Sequence, residues 1–182
     1  VRSGLSSTWP VFANTGNLQG DGQDQFNVEL AGVWGPLNIQ AEYLLSVLNN
    51  GFRTSPSNGD LYFHGGYIEA LYFLTGEHRA YSLRNAVFER VTPRRNFRWI
   101  NDEECEKDGW GAWQVGVRYN YLDLNSGDVD GGQLNDITLG LTWFLNPNLK
   151  LQWNYSVTQR KSPTRLSDGT SQSIGMRLAH DF

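Results

Sequence analysis

The chain has 182 residues, 39% of them hydrophobic, and a formal net charge of -4, which suits one ordinary domain and does not suggest nucleic acid as a partner. No run of about 18 apolar residues occurs, which excludes a transmembrane helix. A membrane β-barrel is not excluded, because its strands need apolar residues only at alternate positions and mean hydropathy can lie below zero, as it does here.

Seven Trp, eight Tyr and nine Phe, with 20 glycines spread along the chain, suit a β-rich protein with many turns. The first residue is Val1, with neither Met nor signal peptide, so the chain reads as a mature form or a fragment.

Period-2 alternation begins at Phe26, Val28 and Leu30, continued on the same face by Gly32 and Trp34, with Asn27 and Glu29 opposite. After Gly35-Pro36 it restarts as Leu37, Ile39, Ala41, Tyr43, Leu45 and Val47, which predicts a tight hairpin. The polar stretch from Asn49 to Gly59 reads as a loop. A third strand sets Tyr62, Gly66, Ile68, Ala70, Tyr72 and Leu74 against Phe63, Tyr67 and Glu69, with aromatics on both faces.

From Thr75 to Asp108 alternation is weak. The segment carries Arg79, Arg84, Arg90, Arg94, Arg95 and Arg98, then an acidic run from Asp102 to Glu106, and reads as a long connection. Within it Cys105, the single cysteine, is expected to be an unpaired loop thiol whose acidic neighbours disfavour the reactive thiolate.

Alternation resumes with Trp113, Val115, Val117, Tyr119 and Tyr121 against Ala112, Gln114, Gly116, Arg118 and Asn120. Three clear strands follow: Ile137, Leu139, Leu141, Trp143, Leu145; then Leu149, Leu151, Trp153, Tyr155, Val157; then Ile174, Met176, Leu178 and Phe182. Asn146-Pro147-Asn148 is a tight turn that keeps its proline outside the ladder. Asn125 to Gln133 and Lys161 to Thr170 are expected to be longer polar loops.

Three features favour a membrane barrel over a soluble sandwich. Trp34, Trp143 and Trp153 lie beside short turns and Tyr121 toward a long loop, as aromatic girdles at two lipid-water boundaries require. Short periplasmic turns and long external loops alternate, apart from residues 75–108, which are periplasmic by parity. That connection is expected either to fold into the lumen, bringing Arg84, Arg94 and Arg95 to the pore, or to remain a solvated flap. The third feature is the end of the chain, where Ile174, Met176, Leu178, His180 and Phe182 occupy alternate positions. This pattern resembles the signal read by the barrel-assembly machinery.

Several blocks carry a closer likeness: Val28-Glu29-Leu30-Ala31 with Gly35-Pro36-Leu37, Gln40-Ala41-Glu42-Tyr43, the run from Leu74-Thr75-Gly76-Glu77 to Tyr81, Gly109-Trp110-Gly111-Ala112-Trp113, and the run from Leu139 to Asn148. Over most of residues 25 to 182 the chain resembles the phosphate-selective porin O and P family. The resemblance implies an all-β, antiparallel transmembrane β-barrel: the C-terminal part of a 16-stranded porin, with seven or eight strands present and a large N-terminal part missing. Residues 1 to 24 would be the end of a preceding strand and an inward or external loop. It also implies a homotrimer in the bacterial outer membrane, in contact with the bilayer and lipopolysaccharide.

If the apolar faces meet lipid, the opposite faces line water. The inward cations are Arg118, Lys150, Arg160 and Arg177, on four neighbouring strands, and the inward carboxylates are Glu29, Glu42, Glu69, Asp123, Asp136 and Asp181. That mixture sets no net anion preference. The cations either form a basic stripe that steers small anions, phosphate being the one the family resemblance implies, or pair with the carboxylates and stiffen the wall. The glutamates of the first three strands are candidate partners for the arginines of the long connection.

The expected function is a water-filled channel for passive diffusion of small solutes, with no cofactor. His64, His78 and His180 are scattered, no metal-ligand spacing recurs, and no serine occupies a nucleophile elbow, so catalysis is not expected. Asp128 to Asp130 reads as a solvated turn rather than a weak calcium loop. Two other readings stay open: a small eight-stranded barrel with Val1 to Phe12 as its further strand, acting as an anchor or adhesin, and a soluble lipocalin-like binder, which needs an apolar interior and a polar exterior.

Overall fold

The computed structural model describes residues 12–54, 59–82, 84, 87–97, 109–162 and 168–181. In chain order its strands are β1 (Gly22–Trp34), β2 (Leu37–Asn49), β3 (Leu61–Phe73), β4 (Tyr81–Ser82), β5 (Val87–Phe88), β6 (Ala112–Ser126), β7 (Val129–Phe144), β8 (Leu149–Lys161) and β9 (Gly169–His180). No helix occurs among the described residues.

Seven strands form one antiparallel sheet in the order β1-β2-β3-β6-β7-β8-β9, while β4 and β5 make a small hairpin of their own. Each long strand therefore pairs with the next long strand in sequence, the up-and-down arrangement of antiparallel barrels. The sheet is open, with β1 and β9 at its edges.

Registers across the sheet explain why the alternation matters. Residues paired directly across antiparallel strands share a face, so Gly32, Ile39, Ala70, Val117, Leu139, Tyr155 and Ile174 form one transverse row. The neighbouring row on that face is Trp34, Leu37, Tyr72, Val115, Leu141, Trp153 and Met176. Three strand positions from the first row, on the opposite face, run Glu29, Glu42, Tyr67, Asn120, Asp136, Thr158 and Ser171. The third strand is thereby assigned, with Tyr62, Ile68 and Tyr72 on the apolar face and Tyr67 and Glu69 on the polar one.

Burial is inverted relative to a water-soluble sheet. Ile174 is 82% exposed and Leu139 52%, whereas Leu61 on the polar face is 1% exposed. A continuous bare apolar face of this extent has no stable place in water but matches lipid. On β7 it runs from Trp143 to Ile137 and turns polar at Asn135, roughly 26 Å from Trp143 along the strand. That length suits a bilayer core crossed by tilted strands.

One expected loop proves to be strand. Residues 125–133 were expected to form a long polar link, but β6 continues to Ser126 and β7 starts at Val129, leaving Gly127-Asp128 as the turn. Beyond the apolar band the hairpin no longer meets lipid on its outer face, while Leu124 and buried Val129 pack on the inner one, so its ladder persists without apolar residues at alternate outward positions. The strand assignment for Phe182, and the expectations for Cys105, Arg98 and the acidic run, lie outside the described residues.

Candidate pore wall

Two stretches outside the seven-stranded ladder lie over the polar face. At the loop end, residues 12–20 cross from β1 toward β7: the Asn14 amide donates to the Gly131 carbonyl at 2.9 Å, and Gln19 and Phe52 exchange backbone bonds of 3.0 and 2.9 Å. Leu18 packs there with Leu48 and Leu124 against buried Leu61, Phe63 and Val129.

At the turn end the connection after β3 is tied down at several points. The Leu74 amide donates to Trp113 O at 2.8 Å, and the Phe97 amide to Leu145 O at 2.7 Å. Buried Glu77 accepts from the Arg94 amide at 3.2 Å and from Thr75 Oγ1, which itself accepts from the Trp113 amide at 3.1 Å. Arg90 donates to Asn148 Oδ1 at 2.5 Å.

These stretches leave two cavities. One of ≈ 990 Å³ is lined by side chains from β1 to β8, among them Gln25, Glu42, Tyr67, Asn120, Asp136 and Thr158, with Thr15 and Leu18 from the N-terminal stretch. In a flat sheet β1 and β8 would stand roughly 24 Å apart at five strand spacings, so the sheet curls around this space. The second, ≈ 550 Å³, lies between the connection and the wall and is lined by Arg79, Arg90, Glu69, Gln114, Lys150, Gln152 and Asp181 among others. Arg118 and Thr138 line both cavities.

Arg118 is held by neighbours on two strands. Its Nε donates to Asn120 Oδ1 at 2.7 Å, its Nη1 lies 3.9 Å from Glu69 Oε2, and its guanidinium carbon sits 3.7 Å from the centre of the Tyr67 ring. Asp136 accepts from Asn120 Nδ2 at 2.8 Å, Thr138 Oγ1 at 3.0 Å and Thr158 Oγ1 at 2.9 Å, so its charge is spread over three donors. Glu29 and Glu42 stand directly opposite each other, and Glu29 accepts from Asn27 Nδ2 at 2.8 Å.

The remaining expected residues divide. Lys150 lies on the polar face with its Nζ 3.6 Å from Asp181. Arg177 is exposed and directly opposite Gln152, and Arg160 is opposite Leu134 with its Nε beside Gly132. Asp123 departs from expectation: it pairs with His64 and Gln133 and accepts from Tyr121 OH at 3.3 Å, placing it on the apolar face's side at the loop-end rim. The Asn125 backbone amide and its side-chain Nδ2 each donate to it at 2.9 Å.

Arg84, Arg94 and Arg95 are exposed and line neither cavity. Arg79 and Arg90, named only as members of the segment, take their place. Arg79 lies over the Phe88 ring, 4.5 Å from its centre, and burial lowers its pKa while the nearby Glu69 carboxylate works in the opposite sense. No periodicity marks such residues, because a connection with little regular structure has no face to read.

A curled antiparallel meander, with one face made for lipid and the other polar, charged and cavity-bearing, is the wall of a porin-type β-barrel. The family model for phosphate-selective porin O and P matches residues 6–182, and the chain belongs to that family. It is 36% identical over 124 residues to an uncharacterized protein of Caulobacter vibrioides, covering 66% of this chain and 23% of that protein. It is 30% identical over 140 residues to Porin O of Pseudomonas aeruginosa, covering 69% of this chain and 28% of the relative. The chain spans about a quarter of the length of these curated relatives.

Proposed function

We propose that the chain forms part of an outer-membrane channel through which small hydrophilic solutes diffuse passively, with small anions such as phosphate favoured. The observation that carries this reading is the division of the sheet into an apolar face spanning all seven strands and a polar face whose cavities are lined by Arg79, Arg90, Arg118 and Lys150. Glu69, Glu89 and Asp181 share that lining, so the wall steers anions without binding them tightly.

Open edges at β1 and β9 have no place in lipid, where every backbone group must be paired. Further strands therefore complete the barrel, and the connection after β3 folds into its lumen through Arg79, Arg90 and Val91. An eight-stranded barrel, whose interior is filled by side chains, has no room for that connection. In this reading the porin is a homotrimer in contact with bilayer and lipopolysaccharide, and its last strand engages the assembly machinery.

Planar-bilayer recording tests the proposal. Stepwise single-channel conductance in KCl is expected, with a reversal potential on the anion-selective side under a salt gradient. A protein that inserts without conducting, or conducts with cation preference, overturns it.

A further inference from the structure

Arg118 stands where the two cavities meet, and what fixes it there is a ring. We propose that Tyr67 is a positioning residue: by stacking under the guanidinium it holds Arg118 as a fixed cationic surface at the junction, and so sets how well the channel distinguishes anions from cations. The inference rests on the channel reading above.

A free arginine side chain has several rotatable bonds and would sweep a wide volume, lying against the wall or reaching its nearest carboxylate. Here each of its options is occupied. The ring of Tyr67, 3.7 Å from the guanidinium carbon, supports one face. Asn120 takes the Nε proton at 2.7 Å, directing the fork along the strand. Glu69, at 3.9 Å, lies beyond hydrogen-bonding distance and leaves the charge only partly compensated.

The register accounts for the geometry. Tyr67 is paired with Asn120, and Glu69 with Arg118, so the guanidinium reaches diagonally from β6 onto the ring of β3. The Arg118 side chain keeps 39% of its surface exposed and lines both cavities, so a passing anion meets it without the arginine having to reorganise.

The test uses the intact porin in planar bilayers, with KCl and then potassium phosphate as probes. Tyr67→Phe keeps the ring and is expected to retain the wild-type reversal potential. Tyr67→Leu is expected to lower the anion-to-cation permeability ratio about two- to fivefold, the scale of a lost cation-π contact. Arg118→Lys keeps the charge but not the planar stack and is expected to fall between wild type and Arg118→Gln. Heat-modifiable electrophoretic mobility checks that each barrel is folded.

Wild-type selectivity in Tyr67→Leu, or equal losses in Tyr67→Phe and Tyr67→Leu, overturns the positioning role. Should Tyr67→Leu not fold, an Arg118→Lys channel indistinguishable from wild type overturns it instead. A wild-type protein that forms no channel defeats the functional reading rather than this one.

Discussion

Trp113 and Trp143 stack nearly parallel across β6 and β7, their ring centres 5.0 Å apart and their planes 13° from parallel. Phe97 of the connection meets Trp143 edge-on at 4.9 Å, and Trp143 Nε1 donates to Trp110 O at 2.6 Å. Trp143 thus joins the turn-end girdle to the connection after β3. Trp143→Ala is expected to destabilise the barrel by about 2 to 3 kcal/mol, combining lost apolar contact with lost ring pairing. Unfolding midpoints in urea with detergent measure it, and Trp143→Phe should recover a large share.

Leu139 and Thr138 are adjacent in sequence and on opposite faces of β7. Leu139→Arg places a charge in the middle of the apolar rows and is expected to cost about 2 to 4 kcal/mol at bilayer mid-depth. Thr138→Arg, on the cavity side, is expected to assemble normally and to raise anion selectivity. Assembly yield in lipid vesicles and reversal potential separate the two.

Glu29 and Glu42 face each other directly, a like-charge pair on the polar side. Glu42→Gln is expected to be neutral or stabilising by about 0.5 kcal/mol, because like charges paired across strands repel. It should also move the reversal potential further toward anions. An unchanged reversal potential would place this pair outside the ion path.

Glu77 is buried and holds the Arg94 amide and the Thr75 hydroxyl together. Glu77→Ala leaves both donors without their acceptor, a loss of about 1 to 3 kcal/mol from the anchoring of the connection. Trypsin is expected to cut more rapidly at Arg79 and Arg84 in the folded variant, and single-channel conductance to become noisier.

Gly111 and Gly35 both have positive φ, +70 and +57, but their surroundings differ. A Cβ at Gly111 would lie 2.2 Å from the Phe144 carbonyl oxygen, whereas at Gly35 nothing lies within 4 Å. Gly111→Ala is therefore expected to cost more than the ~1 kcal/mol of left-handed strain alone and to impair assembly. Gly35→Asn is expected to be nearly neutral in an unfolding titration.

Much of the wall was legible before any coordinates, because which face a strand residue occupies follows from parity alone. Val28, Ile39, Val117, Leu139 and Leu151 declared the lipid side, and Glu42, Arg118 and Asp136 the opposite one. Asp123 was legible too, sharing parity with Tyr121, but beyond the tyrosine that face carries no further apolar residue, and Leu122 and Leu124 lie on the opposite one. The β6–β7 extension was hidden for the same reason.

The sequence by itself determined seven strands, most of their faces and the turns at Gly35-Pro36 and Asn146 to Asn148, since these follow from a period of two and from residues such as Pro147 that no ladder accepts. Only the tertiary structure decided which polar groups meet. The contact of Tyr67 with Arg118 depends on the register of β3 against β6 across a long connection. The choice of Arg79 and Arg90 over Arg84, Arg94 and Arg95 as cavity lining depends on how that connection is anchored at Glu77, Arg90 and Phe97. Long-range register and anchoring are set by many weak contacts closing at once, and no local pattern encodes them.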